Sequence, residues 1–105
     1  MFLKKYLILF PPLFLSFTMA FSQVNVSGKV TDDTGEELVG VNVQLKGRSI
    51  GTITDMDGNY SLELPNSEGT IVFSFIGFKT LEIPVGNKSQ IDVTMEPDIA
   101  QLEEV

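Results

Sequence analysis

From Val24 onward the apolar residues recur at every second position. Val24, Val26 and Val30 alternate with Asn25, Ser27 and Lys29, and Val39, Val41, Val43 and Leu45 alternate with Gly40, Asn42, Gln44 and Lys46. The same period carries Tyr60, Leu62 and Leu64, then Leu81, Ile83 and Val85, then Ile91, Val93 and Met95. A period of two sets one face of a strand against a core and the other against water. Residues 50–54 form a further short strand candidate. Residues 71–78 are apolar at both parities apart from Ser74 and Gly77, which predicts a central strand covered on both faces. Gly77 within that run predicts a bulge or a close backbone approach.

The breaks between these runs carry turn chemistry. Asp32-Asp33-Thr34-Gly35, Lys46-Gly47-Arg48, Asp55-Met56-Asp57-Gly58-Asn59, Pro65-Asn66-Ser67-Glu68-Gly69 and Val85-Gly86-Asn87 supply Gly, Asn, Asp or Pro where a backbone reverses. Seven short strands and no helical period predict an all-β, seven-stranded antiparallel β-sandwich over residues 23–96. Pro84 suits an edge strand of it. Val41, Val43, Leu45, Tyr60, Leu62, Phe73 and Phe75 are the expected core.

Residues 1–22 follow a different pattern. Lys4 and Lys5 precede an apolar stretch broken by Pro11 and Pro12, and Ala20-Phe21-Ser22 closes it as a small-x-small site. These are the three parts of a secretory signal peptide, with cleavage expected before Gln23. A membrane-spanning helix needs about 20 apolar residues, and the Pro pair would break one. The leader holds two of the seven basic residues and no acid, so the rest of the chain sets 5 basic against 14 acidic groups, a net charge of −9. A body that acidic repels phosphates, which argues against a nucleic-acid partner.

The chain has no His, no Cys and no Trp. That excludes Ser-His-Asp and Cys-His nucleophilic catalysis, the usual His/Cys zinc sites, disulfides and a lipid-modified cysteine. No cofactor is implied. A domain this small buries only about 60–65% of its unfolded surface, so modest stability is expected.

Read in order, the body runs Val-Ser-Gly-Lys-Val-Thr-Asp (26–32), Gly35, Leu-Val-Gly-Val-Asn-Val-Gln-Leu-Lys-Gly (38–47), Gly51, Thr-Asp-Met-Asp-Gly-Asn-Tyr-Ser-Leu (54–62) and Ile-Val-Phe-Ser-Phe-Ile-Gly-Phe (71–78). This ordered set resembles the carboxypeptidase-regulatory-like domain, a transthyretin-like (Ig-like) β-sandwich. In particular it resembles the copy at the N-terminus of TonB-dependent outer-membrane transporters of the SusC/RagA type. The resemblance implies a non-catalytic accessory domain of a nutrient importer, most commonly a glycan importer, on the periplasmic side of the outer membrane. It implies three partners: the plug and barrel of the same transporter, a TonB-type energy-coupling protein, and an outer-membrane lipoprotein. Residues 97–105 then read as a linker toward a TonB box, and the gene is expected to continue past codon 105 into plug and barrel.

Four features are candidates for more than scaffolding. Asp55-Met56-Asp57-Gly58-Asn59 has part of a calcium-loop spacing, but the twelfth position from Asp55 is Asn66, which cannot supply the bidentate Glu such loops use; a hairpin turn is the better reading. The pairs Asp32/Asp33, Glu36/Glu37 and Glu103/Glu104 lie in turns and the tail, without the cleft that acid–base carboxylates need. In the cluster Phe73, Phe75, Ile76 and Phe78, one apolar face suffices for a core, which leaves Ile76 and Phe78 as partner-contact candidates. Leu102, Glu103, Glu104 and Val105 are the second partner-contact candidates, as the start of an extended peptide that adds to a partner's sheet edge.

Two other function classes are open to the same residues. A free-standing secreted glycan-binding or adhesion sandwich would need aromatic platforms, and residues 23–105 offer Tyr60, Phe73, Phe75 and Phe78, all in strand patterns. Transthyretin-like sandwiches that hydrolyse ureides use histidines, and this chain has none.

Overall fold

The structure, a computed structural model, describes residues 23–100. The expected leader and residues 101–105 lie outside them. Seven strands follow one another: β1 (Val24–Asp32), β2 (Asn42–Leu45), β3 (Gly51–Ile53), β4 (Asn59–Leu64), β5 (Thr70–Ser74), β6 (Leu81–Pro84) and β7 (Val93–Met95). They form two sheets, β4-β1-β7 and β3-β2-β5-β6. Helical backbone among the described residues is confined to 99–100.

Alternation decides what each strand buries. Val26 and Leu62 stand opposite each other in one sheet, and Val43 and Phe73 in the other, and all four are buried. The Tyr60 and Phe73 rings meet edge to face between the sheets, 5.4 Å apart at 74°. That geometry suits the ring quadrupoles better than a flat stack. Val30, Val41, Leu45, Leu64, Ile71, Val85, Ile91, Val93 and Met95 complete the closed interior. Strand β5 is central between β2 and β6, as its two-sided apolar run predicts, and Pro84 lies on the edge strand β6.

The structure differs from the sequence expectation in several places. Val39, expected inward with Val41 and Val43, precedes β2 and is exposed. Strand β1 pairs antiparallel with β4 but parallel with β7, through Val30–Val93, Thr31–Thr94 and Asp32–Met95. The run expected as one strand over 71–78 stops at Ser74. A turn closes there, with the Phe78 N–H donating to the Phe75 carbonyl at 3.1 Å. Gly77 takes φ +86°, a left-handed value that side-chain-bearing residues rarely adopt, so it serves a turn rather than a bulge. As a result Phe75, expected in the core, is only half-buried, at the mouth of the sandwich.

The pairing also fixes where the chain enters and leaves. Val24 pairs with Leu64 at one end of β1, and Met95 pairs with Asp32 at the other. The chain therefore enters at one end of the sandwich and leaves at the opposite end. The exit end also holds the loop before β2, the turn between β3 and β4, and the turn after β5.

Candidate functional site

The exit end carries an open cleft of about 480 Å³ lined by Gly40, Asn42, Ser74, Phe75, Ile76, Phe78 and Thr80. No lining residue is charged. Two other hollows have charged walls, one at Lys46 and Arg48 and one at Lys29 and Asp92.

The strand pairing builds the cleft's floor. Asn42 opposes Ser74 on β5 and Ile53 on β3, so these three side chains form one row on the outer face of the four-stranded sheet. The turn after β5 supplies the wall. Phe75 and Phe78 stack with centroids 5.8 Å apart and planes 30° from parallel. Ile76, at the tip of that turn, is 86% exposed.

A buried hydroxyl holds the opposite wall. Thr54 is 2% exposed, and with the Tyr60 hydroxyl it is one of the few buried polar groups on a side chain among the described residues. Its Oγ1 donates to the Leu38 carbonyl at 2.6 Å and accepts from the Val41 N–H at 2.9 Å. The Thr54 carbonyl accepts from the Gly40 N–H at 3.1 Å. The loop 38–41, which crosses from one sheet to the other, is thus fastened on both sides of Gly40. Sequence reading treated Thr54 only as the end of a short strand. Its parity with the half-buried Thr52 was the available signal.

The outgoing chain forms the third side. Pro97 bridges to Phe78, the Lys79 N–H donates to the Glu96 carbonyl at 2.9 Å, and the Asp98 N–H donates to the Gly77 carbonyl at 2.9 Å. Of the partner-contact candidates, the structure brings Ile76 and Phe78 together at this cleft. Leu102, Glu103, Glu104 and Val105 lie outside the described residues.

The calcium-loop candidate Asp55 and the carboxylate candidate Asp32 each head a copy of one turn, while Glu103 and Glu104 lie outside the described residues. At Asp55, Oδ1 accepts from the N–H groups of Asp57 and Asn59, both at 2.9 Å. At Asp32, Oδ1 accepts from the N–H groups of Thr34 (2.8 Å) and Glu36 (2.9 Å). In each copy the fourth residue's N–H returns to the Asp carbonyl, Gly58 to Asp55 and Gly35 to Asp32. This is the arrangement the hairpin-turn reading of Asp55 requires. The Thr34 hydroxyl, 2.6 Å from Oδ1, does most to hold the Asp32 carboxyl below its usual range. Glu37 forms an exposed ion pair with Lys29 at 3.0 Å, which raises the Lys29 ammonium above its ordinary value.

The exposed large apolar side chains of the described residues are Val39, Ile53, Met56, Ile76 and Ile99. They come from five separate segments, and all five lie at the exit end. Val39 adjoins Gly40, Ile53 faces Asn42, Met56 follows the Thr54 anchor by two residues, and Ile99 follows Asp98. Sequence reading found Ile76 and missed the other four, because no local pattern shows that the topology gathers them.

The family profile of the CarboxypepD_reg-like domain matches residues 26–105. The chain belongs to that family. It is 41% identical over 98% of its length to a TonB-dependent receptor of Formosa agariphila, and 42% identical over 97% to the TonB-dependent receptor SusC of Bacteroides thetaiotaomicron. It spans only 10% of the length of either receptor. Among solved structures, a chain of a type II cohesin-X-dockerin complex from Acetivibrio cellulolyticus superposes with a TM-score of 0.58. That match covers 70% of this chain and 58% of the other at 16% identity, and it shows the shared sandwich fold. The CarboxypepD_reg-like domain is thus a small part of much longer receptors, and its fold agrees with the resemblance read from residues 26–78.

Proposed function

We propose that this CarboxypepD_reg-like domain is the N-terminal accessory domain of a TonB-dependent importer, exported by residues 1–22 and held on the periplasmic side of the outer membrane. Its role is non-catalytic, positioning the importer and its partners during energy-coupled uptake, with glycans as the substrate class. One observation carries this reading: the chain aligns almost end to end with TonB-dependent receptors yet spans a tenth of them. The partners are the plug and barrel of the same receptor, a TonB-type coupling protein and an outer-membrane lipoprotein. Leu102, Glu103, Glu104 and Val105 approach the coupling segment, and Ile76 and Phe78 make the contacts of the domain itself.

The test is deletion of residues 23–96 from the receptor gene, leaving the leader in place. The expected result is a receptor that still assembles in the outer membrane but takes up its nutrient more slowly. Unchanged uptake at equal receptor abundance would refute the role. Mass spectrometry of the exported protein should find Gln23 at or within a residue or two of its N-terminus.

A second reading, a free-standing glycan-binding sandwich, gains from one finding. Phe75 and Phe78 are not sealed in the core but line an open cleft beside Asn42, Ser74 and Thr80. Calorimetric titration with oligosaccharides decides this, since saturable heat lost on Phe78→Ala would favour the binding module.

A further inference from the structure

We infer that the apolar exit end of the sandwich is the seat of the polypeptide that follows this domain in the same receptor chain. The inference rests on the receptor-domain reading above and adds to it which face docks and what occupies it.

The first argument is the patch itself. Val39, Ile53, Met56, Ile76 and Ile99 leave the rest of the described surface without exposed large apolar side chains; Ile76 lines the uncharged cleft, Val39 adjoins its Gly40 and Ile53 pairs with its Asn42. Scattered apolar residues on a surface need no explanation, but a gathered set beside a cleft marks a contact face. The body is strongly acidic, so an uncharged cleft on it favours an apolar occupant over a cationic one.

The second argument is the route of the chain. Pro97 and Asp98 are fastened to Phe78 and Gly77 of the cleft wall, and the next residue, the exposed Ile99, already belongs to the patch. Whatever follows starts at the cleft. A segment of the same chain meets its site at an effective concentration that reaches the millimolar range for a short linker, which a separate partner rarely matches. The chain spans 10% of its receptor relatives, so most of a receptor's length would lie beyond this exit.

The third argument is rigidity. The walls are held in place before any occupant arrives, by the Thr54 hydroxyl on one side and the Phe75–Phe78 stack on the other. A preformed site loses less conformational entropy on binding.

The experiment uses the full receptor from its native gene. Sequencing past codon 105 tests the receptor reading by itself; a gene without plug and barrel removes that reading and this inference together. With the receptor confirmed, a photo-crosslinking benzoylphenylalanine replaces Ile76 in one variant and Glu63, exposed on β4, in another. Illumination in cells and mapping by mass spectrometry should join position 76 to peptides of the same polypeptide beyond residue 105, at least tenfold more than position 63. Ile76→Asp should speed amide hydrogen exchange over residues 75–78 in the purified receptor at least tenfold. Crosslinks from position 76 only to a different polypeptide, equal yields at the two positions, or exchange unchanged by Ile76→Asp would overturn the inference.

Discussion

The Tyr60 hydroxyl donates to the Ile91 carbonyl at 2.6 Å, tying β4 to the segment that leads into β7. Strand β1 lies between β4 and β7, and the segment 89–91 is also bonded to it. The Ser27 N–H donates to Ser89 at 3.0 Å, and the Ile91 N–H donates to Ser27 at 2.9 Å. The tyrosine therefore locks a strap across the sheet that carries both the entry and the exit of the chain.

Burial, with a smaller contribution from Asp92, pushes the Tyr60 hydroxyl up to about 12 from 10.0. The neutral form is the one the folded protein holds. Below pH 10 both folded and unfolded chains keep the proton, and the stabilisation is complete. Between pH 10 and about 12 the unfolded chain releases the proton first, so stability falls, by about 2 kcal/mol over the window. Tyr6 is the other of the two tyrosines and lies within residues 1–22, so ultraviolet titration of a chain of residues 23–105 reads Tyr60 alone. Urea unfolding should show a steeper fall in wild type than in Tyr60→Phe, which keeps only the loss from lysine pairs such as Lys29–Glu37. The variant should also be about 1 kcal/mol less stable at neutral pH for loss of the hydrogen bond.

Gly28 faces the same carbonyl. A Cβ built on it would overlap the Ile91 oxygen and stand 2.7 Å from the carbonyl carbon and 3.1 Å from Cε1 of Tyr60. The carbonyl is backbone and bonded in place, so it cannot yield as a flexible side chain would. Gly28→Ala should cost more than about 3 kcal/mol, a large part of a small domain's stability. Thermal melting decides it, and a loss below about 1 kcal/mol would mean the strap moves aside freely.

Phe73 and Phe75 share a parity, yet one is sealed and the other lies at the mouth. Phe73→Ala removes a ring packed against Tyr60 and should cost about 3–5 kcal/mol. Phe75→Ala removes a half-buried ring and should cost about 1–2 kcal/mol. Denaturant midpoints at constant slope measure both, and equal losses would place Phe75 in the core after all.

Those two rings show how far the sequence could be read. Period two identified the strands and the inward Val26, Val30, Val41 and Val43, because alternation is a local property of a half-buried strand, but it also turned Val39 inward, which is exposed ahead of β2. It assigned Phe75 the correct face but not its depth, since depth depends on where the strand ends, and Gly77 ends it by a turn. It could not give the direction of the β1–β7 pair, because alternation looks the same in either direction. It gave Ile76 and Phe78 but not Val39, Ile53, Met56 or Ile99, which become neighbours only once two sheets and an outgoing chain converge. Thr54 escaped notice for a related reason: its partners, Leu38 and Val41, are distant in sequence and belong to a loop.

Thr54 also provides the sharpest test of how the cleft wall is held. Thr54→Val keeps the branched shape and volume but removes the oxygen. The Val41 N–H then loses its 2.9 Å acceptor, and the Leu38 carbonyl its 2.6 Å donor. Stranded polar groups cost about 1–3 kcal/mol each when buried, so the variant should lose about 2–4 kcal/mol in all. Thr54→Ser keeps the oxygen and loses one methyl group, which should cost only about 1 kcal/mol. The order Val worse than Ser is opposite to what simple loss of apolar packing would give, so the pair separates hydrogen bonding from volume. Because Gly40 hangs from the Thr54 carbonyl, Thr54→Val should also speed hydrogen exchange at the Gly40 and Val41 amides more than at Val26, which lies in the sheet opposite. If the two variants melt together, the hydroxyl is dispensable and the wall is held by packing alone.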